Sequence, residues 1–202
     1  MHSDTTLFLY GTLRHLPLLD IVAGEHVEVR AAWLPGHLAY RVRDADYPMI
    51  APAAGRIAEG VIVTLSQTAR ARLDFYEGGH GYGTRMLMAE TEDRAVPASV
   101  YWPDGPGLEP DGTWNLRDWV SAEGALQCLA AEDAMAMFRR QSPAHVAHRF
   151  GSLRARAQAR LNARQTAAPT TLRRHALPED VEIARTVTTY ADFFSVEEMR
   201  FR

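Results

Sequence analysis

A short turn near the amino terminus, Tyr10-Gly11-Thr12-Leu13, has the residue types of an anion-binding site. It directly follows an apolar and aromatic run over residues 5–10, which is typical of a buried strand. Gly11 permits backbone conformations in which neighbouring amide groups turn inward, and such amides bind anions. A simple strand-ending turn would have the same four residues. The turn is therefore a candidate carboxylate site that needs support from other residues.

The acidic side chain of Glu77 is the second candidate for chemistry. The spacing of apolar residues from Ser66 to Tyr76 predicts a helix with Ser66 as its N-cap, ended by Gly78-Gly79. Glu77 then lies at a helix end, beside glycines that allow a ligand to approach closely. Partial burial among apolar neighbours would raise its pKa towards neutral pH, where a carboxyl group can both accept and donate a proton. Asp74, one helical turn earlier, is interpreted as an exposed or capping acid, or as one that orients the loop.

The elements that must position these residues are mostly short strands. Gly, Pro and Asp separate strand-like runs, and one clear helical insert interrupts them, which predicts an α+β fold. We expect a small mixed, mostly antiparallel β-barrel followed by C-terminal helices. The strand-like runs are residues 5–10, 27–29 with 31–34, 38–42, 60–65, 85–89 and 98–102.

Beyond about residue 115 the strand alternation disappears, and the sequence indicates helices. Residues 120–140 are predicted to form one helix, and Ser142-Pro143 predicts the start of a second. The predicted organisation is a β-barrel domain over residues 1–115, a helical extension over 116–165, and a linker with the start of a truncated further domain over 166–202. Within the last part, residues 165–175 are the linker candidate and residues 181–187 are predicted to form a strand.

Composition limits the class of protein. The chain is 47% hydrophobic and 23% charged with a formal net charge of -3, which is ordinary for a globular protein and argues against nucleic-acid binding. Neither a membrane span nor a signal peptide is evident, so a cytoplasmic location is expected. Cys128 is the sole cysteine and lysine is absent, which excludes a disulfide framework and lysine Schiff-base chemistry. His145 and His148 lack an acidic partner nearby, so a metal site is not expected.

A strongly basic stretch follows the predicted barrel. No acidic residue occurs between Asp133 and Glu179, and arginines accumulate there. This stretch could contact an acidic partner domain, a nucleotide phosphate or nucleic acid, or it could be a solvated face balanced by the acidic N-terminal half. The last alternative is favoured, because no aromatic residues alternate with the arginines as in single-strand binders. The arginines are Arg139, Arg140, Arg149, Arg154, Arg156, Arg160, Arg164, Arg173 and Arg174.

An ordered series of motifs over residues 5–105 resembles the γ-glutamylcyclotransferase-like (AIG2-like) family. No member of the series is specific alone, but their order and spacing match the family. The series comprises the Tyr10 turn, Leu34-Pro35-Gly36-His37-Leu38, Asp46-Tyr47-Pro48, Gly60-Val61, the run from Leu73 to Gly78, Tyr82 with Arg85, and Ala98-Ser99-Val100-Tyr101.

The resemblance implies a fold and an activity. The family fold is a small mixed β-barrel with flanking helices, in which this turn holds the carboxylate and amine end of a γ-glutamyl group. The glutamate that matches Glu77 is the acid and base that closes the ring of 5-oxoproline, without a cofactor. The implied substrate-binding residues are Tyr10, Gly11, Thr12, Leu13, Tyr47, Tyr82 and Arg85. For Arg85, a structural role in bridging strands or pairing with a nearby acid is an equal alternative.

A second, narrower resemblance concerns the C-terminal half. Asp118-Trp119 and the segment from Tyr190 to Glu198 resemble proteins in which this domain precedes a Nudix hydrolase of the ADP-ribose pyrophosphatase type, including TrgB-type tellurite-resistance proteins. The Nudix domain itself is expected to be missing from this chain, because no Nudix box follows. This resemblance keeps an alternative open, in which the chain is a non-catalytic ligand-binding or regulatory domain of a larger Nudix protein. Packing of the last dozen residues is expected to be poor.

Overall fold

The computed structural model describes residues 5–166, 181–190 and 194–201, with side chains described from 6 to 164. Residues 1–162 form one compact unit and residues 163–202 a second. The predicted division at residues 115 and 165 stays a prediction. The strands are β1 (Thr5–Leu9), β2 (Val29–Val42), β3 (Pro48–Leu65), β4 (Tyr82–Glu90), β5 (Ala95–Pro103), β6 (Pro110–Thr113), β7 (Val181–Tyr190) and β8 (Phe194–Phe201). The helices are α1 (Leu16–Ala23), α2 (Gln67–Glu77), α3 (Leu116–Trp119), α4 (Ala125–Met135) and α5 (Pro143–Thr166).

The first five strands close into a mixed barrel, which confirms the predicted fold class. The order is β3-β1-β5-β4-β2, and β2 pairs again with β3 to close the ring. The pair β1–β5 is parallel and the other barrel pairs are antiparallel. Strand β6 adds to β2 at the outside. Closure leaves no free edge along the barrel, and edges are where unpaired backbone groups would otherwise be exposed.

Successive side chains of β1 belong to two different hydrophobic cores. Phe8 belongs to a cluster built from barrel-strand residues, whereas Leu7 and Leu9 belong to a cluster shared with the helices. This follows from the two-residue period of a strand, which sends successive side chains to opposite faces. Leu7 and Phe8 are fully buried, and burial of such a side chain contributes about 1.5–3 kcal/mol.

Several element predictions need correction. The helix α1 between β1 and β2 was not expected, because a short and almost wholly apolar run does not distinguish a helix from a buried strand. Strands β2 and β3 are longer than predicted, with a register shift in β2 between Pro35 and His37. Instead of one helix over 120–140, α3, a π-helical turn (Val120–Gly124) and α4 follow one another.

Two helix starts are confirmed. Helix α2 begins after Ser66, whose side chain accepts a hydrogen bond from the Ala69 amide at 3.1 Å. Helix α5 begins at Pro143, and the Ser142 hydroxyl accepts from the His145 amide at 3.2 Å. Caps of this kind satisfy backbone donors that a helix end leaves free.

The second unit contains the end of α5 and the antiparallel pair of β7 and β8, whose register aligns Val181 with Phe201. The strand predicted over residues 181–187 is thus present. The linker expected at residues 165–175 lies almost wholly outside the described residues, and the expected poor packing of the last dozen residues is untested. None of the helices in the described part of the chain is long and apolar enough to cross a membrane.

Candidate active site

A cavity of about 310 Å³ opens where the end of β1 meets the end of α2. Its volume is typical of a site for a small metabolite. The loop between β2 and β3 forms one wall, and side chains from α4 and α5 form another. The lining residues are Phe8, Leu9, Tyr10, Gly11, Thr12, Leu13, Asp44, Ala45, Asp46, Tyr47, Pro48, Tyr76, Glu77, His80, Tyr82, Tyr101, Gln127, Phe150 and Arg154.

The turn after β1 lines this cavity with Gly11, Thr12 and Leu13. A single 3-10 turn follows Gly11, in which the Arg14 amide donates to the Gly11 carbonyl and the His15 amide to the Thr12 carbonyl, both at 3.0 Å. The Thr12 and Leu13 amides precede these bonds, and neither takes part in a described hydrogen bond of the turn. A Cβ at position 11 would lie 2.9 Å from a Pro48 side-chain carbon, so glycine is required for this close approach.

Glu77 is the last residue of α2 and lines the same cavity. Burial, and after it the negative charge of Asp74, raises the pKa of Glu77 from 4.5 to about 7. The structure therefore brings the Tyr10 to Leu13 turn and Glu77 together. A carboxyl group in this environment exchanges a proton near neutral pH, as acid–base catalysis requires.

Asp74 lies one turn before Glu77 and partners two side chains. It accepts hydrogen bonds from the Arg70 guanidinium at 2.8 Å and from the Tyr101 hydroxyl at 2.8 Å. Its side chain is 46% exposed. Asp74 is thus partly exposed, as one alternative expected, and it also holds Tyr101, which lines the cavity.

The predicted tyrosines converge on the cavity. The Tyr82 hydroxyl donates to the Pro48 carbonyl at 2.8 Å, and the Tyr47 ring packs edge-on against Tyr82 with ring centres 6.3 Å apart. Tyr10 is 5% exposed. Burial raises the pKa of all three hydroxyls, which keeps them protonated and able to donate hydrogen bonds.

Arg85 does not lie at the cavity, which corrects its expected placement. Its guanidinium pairs with Asp104 at 2.9 Å and lies 4.4 Å from the centre of the Trp102 ring. This is the alternative role, pairing with a nearby acid. The reason is strand geometry: Tyr82 faces the cavity from β4, and a residue three positions further along a strand points to the opposite face.

The helical extension supplies cavity residues that sequence reasoning missed. Gln127 from α4 and Phe150 and Arg154 from α5 line the cavity, as does His80 from the turn after α2. Burial lowers the pKa of His80, which favours the neutral imidazole. Helical periodicity assigned Phe150 to an apolar stripe and Arg154 to the basic stretch, but it could not show which neighbours those faces meet.

Arg154 holds several segments together at the cavity rim. Its guanidinium donates to Asp46 at 3.0 Å, to Glu123 at 2.7 Å and to the side-chain oxygen of Gln127 at 2.8 Å. Elsewhere on α5, Arg160 pairs with Glu132 at 2.9 Å. These members of the basic stretch therefore meet acidic groups of the same compact unit.

The paired glycines after Glu77 have a packing role. A Cβ at Gly79 would lie 2.7 Å from both the Ala147 Cβ and the Pro143 carbonyl oxygen, so glycine lets α5 approach the end of α2. Close approach of a ligand was the expected reason for these glycines. At Gly79 the structure shows close approach of a helix, and the approach of a ligand stays a prediction.

No three His, Cys, Asp or Glu side chains in the described part of the chain are grouped in a way that could hold a metal ion. The polar groups at the cavity include tyrosine hydroxyls, the backbone of the Tyr10 to Leu13 turn, the Glu77 carboxyl group with its pKa of about 7, and the Arg154 guanidinium.

Comparison with known proteins identifies relatives of the barrel. The family model described as "Gamma-glutamyl cyclotransferase, AIG2-like" matches residues 7–120. AIG2-like protein A of Arabidopsis thaliana is 23% identical over 116 residues, which cover 56% of this chain and 70% of the relative. AIG2-like protein B of the same plant is 20% identical over 116 residues, which cover 56% of this chain and 67% of the relative. A crystal structure of an AIG2-like protein from Mus musculus superposes with a TM-score of 0.43, at 20% identity over 56% of this chain and 90% of that one.

Proposed function

Because the chain belongs to the γ-glutamyl cyclotransferase, AIG2-like family, we propose that it converts a γ-glutamyl amine or peptide into 5-oxoproline and the free amine. One observation carries the proposal. A carboxyl group with a pKa of about 7, Glu77, and a turn that presents backbone amides line one metabolite-sized cavity.

The turn would bind the α-carboxylate of the γ-glutamyl group. Gly11, Thr12 and Leu13 lie at the cavity wall, and backbone amides that point together bind carboxylates. Tyr10, Tyr47 and Tyr82 would enclose the carbon chain. Holding both ends of the substrate keeps its α-amine folded back on its γ-carbonyl, which makes an intramolecular attack fast.

Glu77 would then move one proton. The α-amine nitrogen attacks the γ-carbonyl carbon and forms the ring C–N bond, while the Glu77 carboxylate takes a proton from that nitrogen. The tetrahedral intermediate collapses and its bond to the leaving nitrogen breaks, as Glu77 returns the proton to that nitrogen. The products are 5-oxoproline and an amine, no water is consumed, and the substrate supplies both nucleophile and acyl group.

The alternative is a binding domain that holds a γ-glutamyl or related carboxylate without turnover, within a larger protein of the Nudix type. The segment from Tyr190 to Glu198 motivates this alternative, since it resembles the lead into a Nudix domain. A cytoplasmic location suits both functions, because soluble γ-glutamyl metabolites are the proposed ligands.

Product analysis tests the proposal. The purified chain is incubated in ¹⁸O-labelled water with γ-glutamyl amino acids, γ-glutamyl peptides and ε-(γ-glutamyl)lysine, and 5-oxoproline, glutamate and free amine are quantified. We expect 5-oxoproline and amine in equal amounts, with no ¹⁸O in 5-oxoproline. Labelled glutamate would identify a hydrolase. Binding without any product across the panel would favour the binding domain.

A further inference from the structure

Three side chains from three helices form a hydrogen-bonded chain at the cavity wall. The Arg154 guanidinium on α5 donates to the side-chain oxygen of Gln127 on α4 at 2.8 Å. The side-chain nitrogen of Gln127 in turn donates to the hydroxyl oxygen of Tyr76, on α2, at 2.6 Å. All three residues line the cavity. Gln127 and Arg154 lie beyond residue 120, where the match to the family model ends.

The chemistry of arginine sets the direction of every bond in this chain. A guanidinium has donors and no acceptor, so the Gln127 atom that it meets must be the carbonyl oxygen. The amide nitrogen of Gln127 then faces Tyr76, and it too can only donate. The Tyr76 hydroxyl oxygen is therefore the acceptor, and its hydrogen must point elsewhere.

Arg154 is itself held in place by two carboxylates. Asp46 lies 3.0 Å and Glu123 2.7 Å from its guanidinium. Glu123 belongs to the π-helical turn between α3 and α4, a kind of irregularity that often accompanies functional sites. This arrangement fixes the guanidinium, and through it the orientation of the Gln127 amide.

Three of the tyrosines that line the cavity, Tyr76, Tyr82 and Tyr101, take part in described side-chain hydrogen bonds. Tyr82 donates to the Pro48 carbonyl and Tyr101 donates to Asp74. For Tyr76, the hydrogen bonds described within residues 6–164 include the one accepted from Gln127 but no acceptor for its hydrogen. Burial raises the pKa of Tyr76 above its ordinary value, so the hydroxyl stays protonated. A buried donor without an acceptor, next to a cavity, is available to a ligand.

We propose that the Tyr76 hydroxyl donates a hydrogen bond to the γ-carbonyl oxygen of the substrate, and that Gln127 and Arg154 act as positioning residues for it. The inference rests on the proposed function. Attack of the α-amine turns that carbonyl oxygen into an oxyanion, and a donor already aimed at it stabilises the charge as it develops. Tyr76 and Glu77 both line the cavity, so the oxyanion donor and the proton carrier would act on one bound substrate.

The substitution Gln127→Glu reverses the hydrogen bond. A carboxylate has almost the same shape as the amide and keeps an oxygen for Arg154, but its second oxygen accepts where the amide nitrogen donated. The Tyr76 hydroxyl would then donate to this introduced carboxylate and be withdrawn from the substrate. We expect kcat for 5-oxoproline formation to fall roughly 100- to 1,000-fold with KM within about 3-fold, because loss of one oxyanion donor costs about this much in established cases.

Gln127→Leu separates this role from a merely structural one. Leucine removes both hydrogen bonds and leaves Arg154 with one acceptor fewer, yet it frees the Tyr76 hydroxyl to rotate towards the substrate. If Gln127 had only a structural role, Gln127→Leu would therefore have the lower kcat of the two variants. The proposed role predicts the opposite order in kcat, with Gln127→Glu the worse one.

Control variants test whether the effect comes from the added negative charge and whether Tyr76 and Gln127 act through one another. Gln158→Glu adds the same charge on an exposed face of α5 and should leave kcat unchanged. Each pH profile is followed to its plateau, because a shifted Glu77 pKa moves the acid limb whereas a lost donor lowers the plateau. Tyr76→Phe should match Gln127→Glu, and the double variant should be no slower than either single variant.

Three results would overturn the inference. The first is a Gln127→Glu plateau within about 3-fold of the original chain, the second is multiplicative losses in the double variant, and the third is Gln127→Leu as the slower variant. Absence of 5-oxoproline from the original chain across the substrate panel is a different failure. It would reject the proposed function, and the inference with it.

Discussion

Replacing Glu77 by glutamine should stabilise the folded chain at alkaline pH. In the fold the pKa of Glu77 is about 7, against an ordinary value of 4.5. The folded chain therefore binds this proton more tightly than the unfolded chain does. As pH rises from about 4.5 to above 7, the unfolded state ionises Glu77 first, so stability is present below that window and is lost across it.

The two pKa values give the size of the effect. Each unit of difference corresponds to about 1.36 kcal/mol, so ionised Glu77 lowers the free energy of unfolding at pH 8 by at most about 3 kcal/mol. Water that enters the cavity reduces this, and about 1–3 kcal/mol is expected. Glutamine occupies the same space without ionising, so Glu77→Gln should raise Tm at pH 8 by roughly 2–12 °C.

Thermal unfolding of the original chain and the variant at pH 4 and pH 8 measures this effect. The gain should be present at pH 8 and nearly absent at pH 4, where Glu77 is protonated in the folded state and largely protonated in the unfolded state. Glu92→Gln, an exposed residue between β4 and β5, is the matched control and should show no such pH dependence. Equal gains at both pH values, or a lower Tm at pH 8, would refute the explanation by a raised pKa.

Further predictions concern Asp74, Gly79 and Arg85. Asp74→Asn removes the negative charge that helps to raise the pKa of Glu77, so the acid limb of the kcat/KM profile should move to lower pH. Gly79→Ala places a Cβ 2.7 Å from the first turn of α5 and should lower the free energy of unfolding by about 1–3 kcal/mol in denaturant titrations. Its matched control is Gly151→Ala, whose Cβ has no atom within 4 Å and which should raise that free energy by about 0.5–1 kcal/mol. Arg85→Ala should leave kcat/KM within about 2-fold in initial-rate measurements, because a partly exposed ion pair away from the cavity contributes little.

Each of these predictions has a contradicting outcome. An acid limb that stays in place in Asp74→Asn would mean that this charge does not reach Glu77. A Gly79→Ala chain as stable as the original would mean that α5 can move away from the end of α2 at little cost. A loss of more than about 10-fold on changing Arg85 would return that residue to the substrate-binding set.

Local patterns were enough to predict the barrel and the starts of two helices. The alternation of apolar and polar residues and the glycines between strands can be read from neighbouring residues in the chain. The same holds for the caps Ser66 and Ser142. Helix α1 was missed because eight residues with one charged side chain, Asp20, are too few to distinguish a helix from a buried strand. The wrong single helix over residues 120–140 had a related origin, since nothing in local composition marks a π-helical turn.

The candidate site, too, could be predicted only in part from local sequence. The turn ending at Leu13 and the helix end at Glu77 were recognised through motifs along the chain, and the structure brings them to one cavity. Gln127 and Arg154 could not be assigned, because their place depends on how α4 and α5 pack against the barrel. The placement of Arg85, in contrast, could have been predicted from the sequence. The two-residue period of a strand already sets Arg85 on the face opposite Tyr82.

The initial rate of 5-oxoproline formation at pH 8 tests the central claim most directly. The original chain, Glu77→Gln and the control Glu92→Gln are compared on the best substrate of the γ-glutamyl panel. We predict a loss of about 100- to 10,000-fold for Glu77→Gln, the range of general acid–base catalysis, and a control within about 2-fold. A Glu77→Gln chain that keeps more than about a tenth of the original rate would contradict the account.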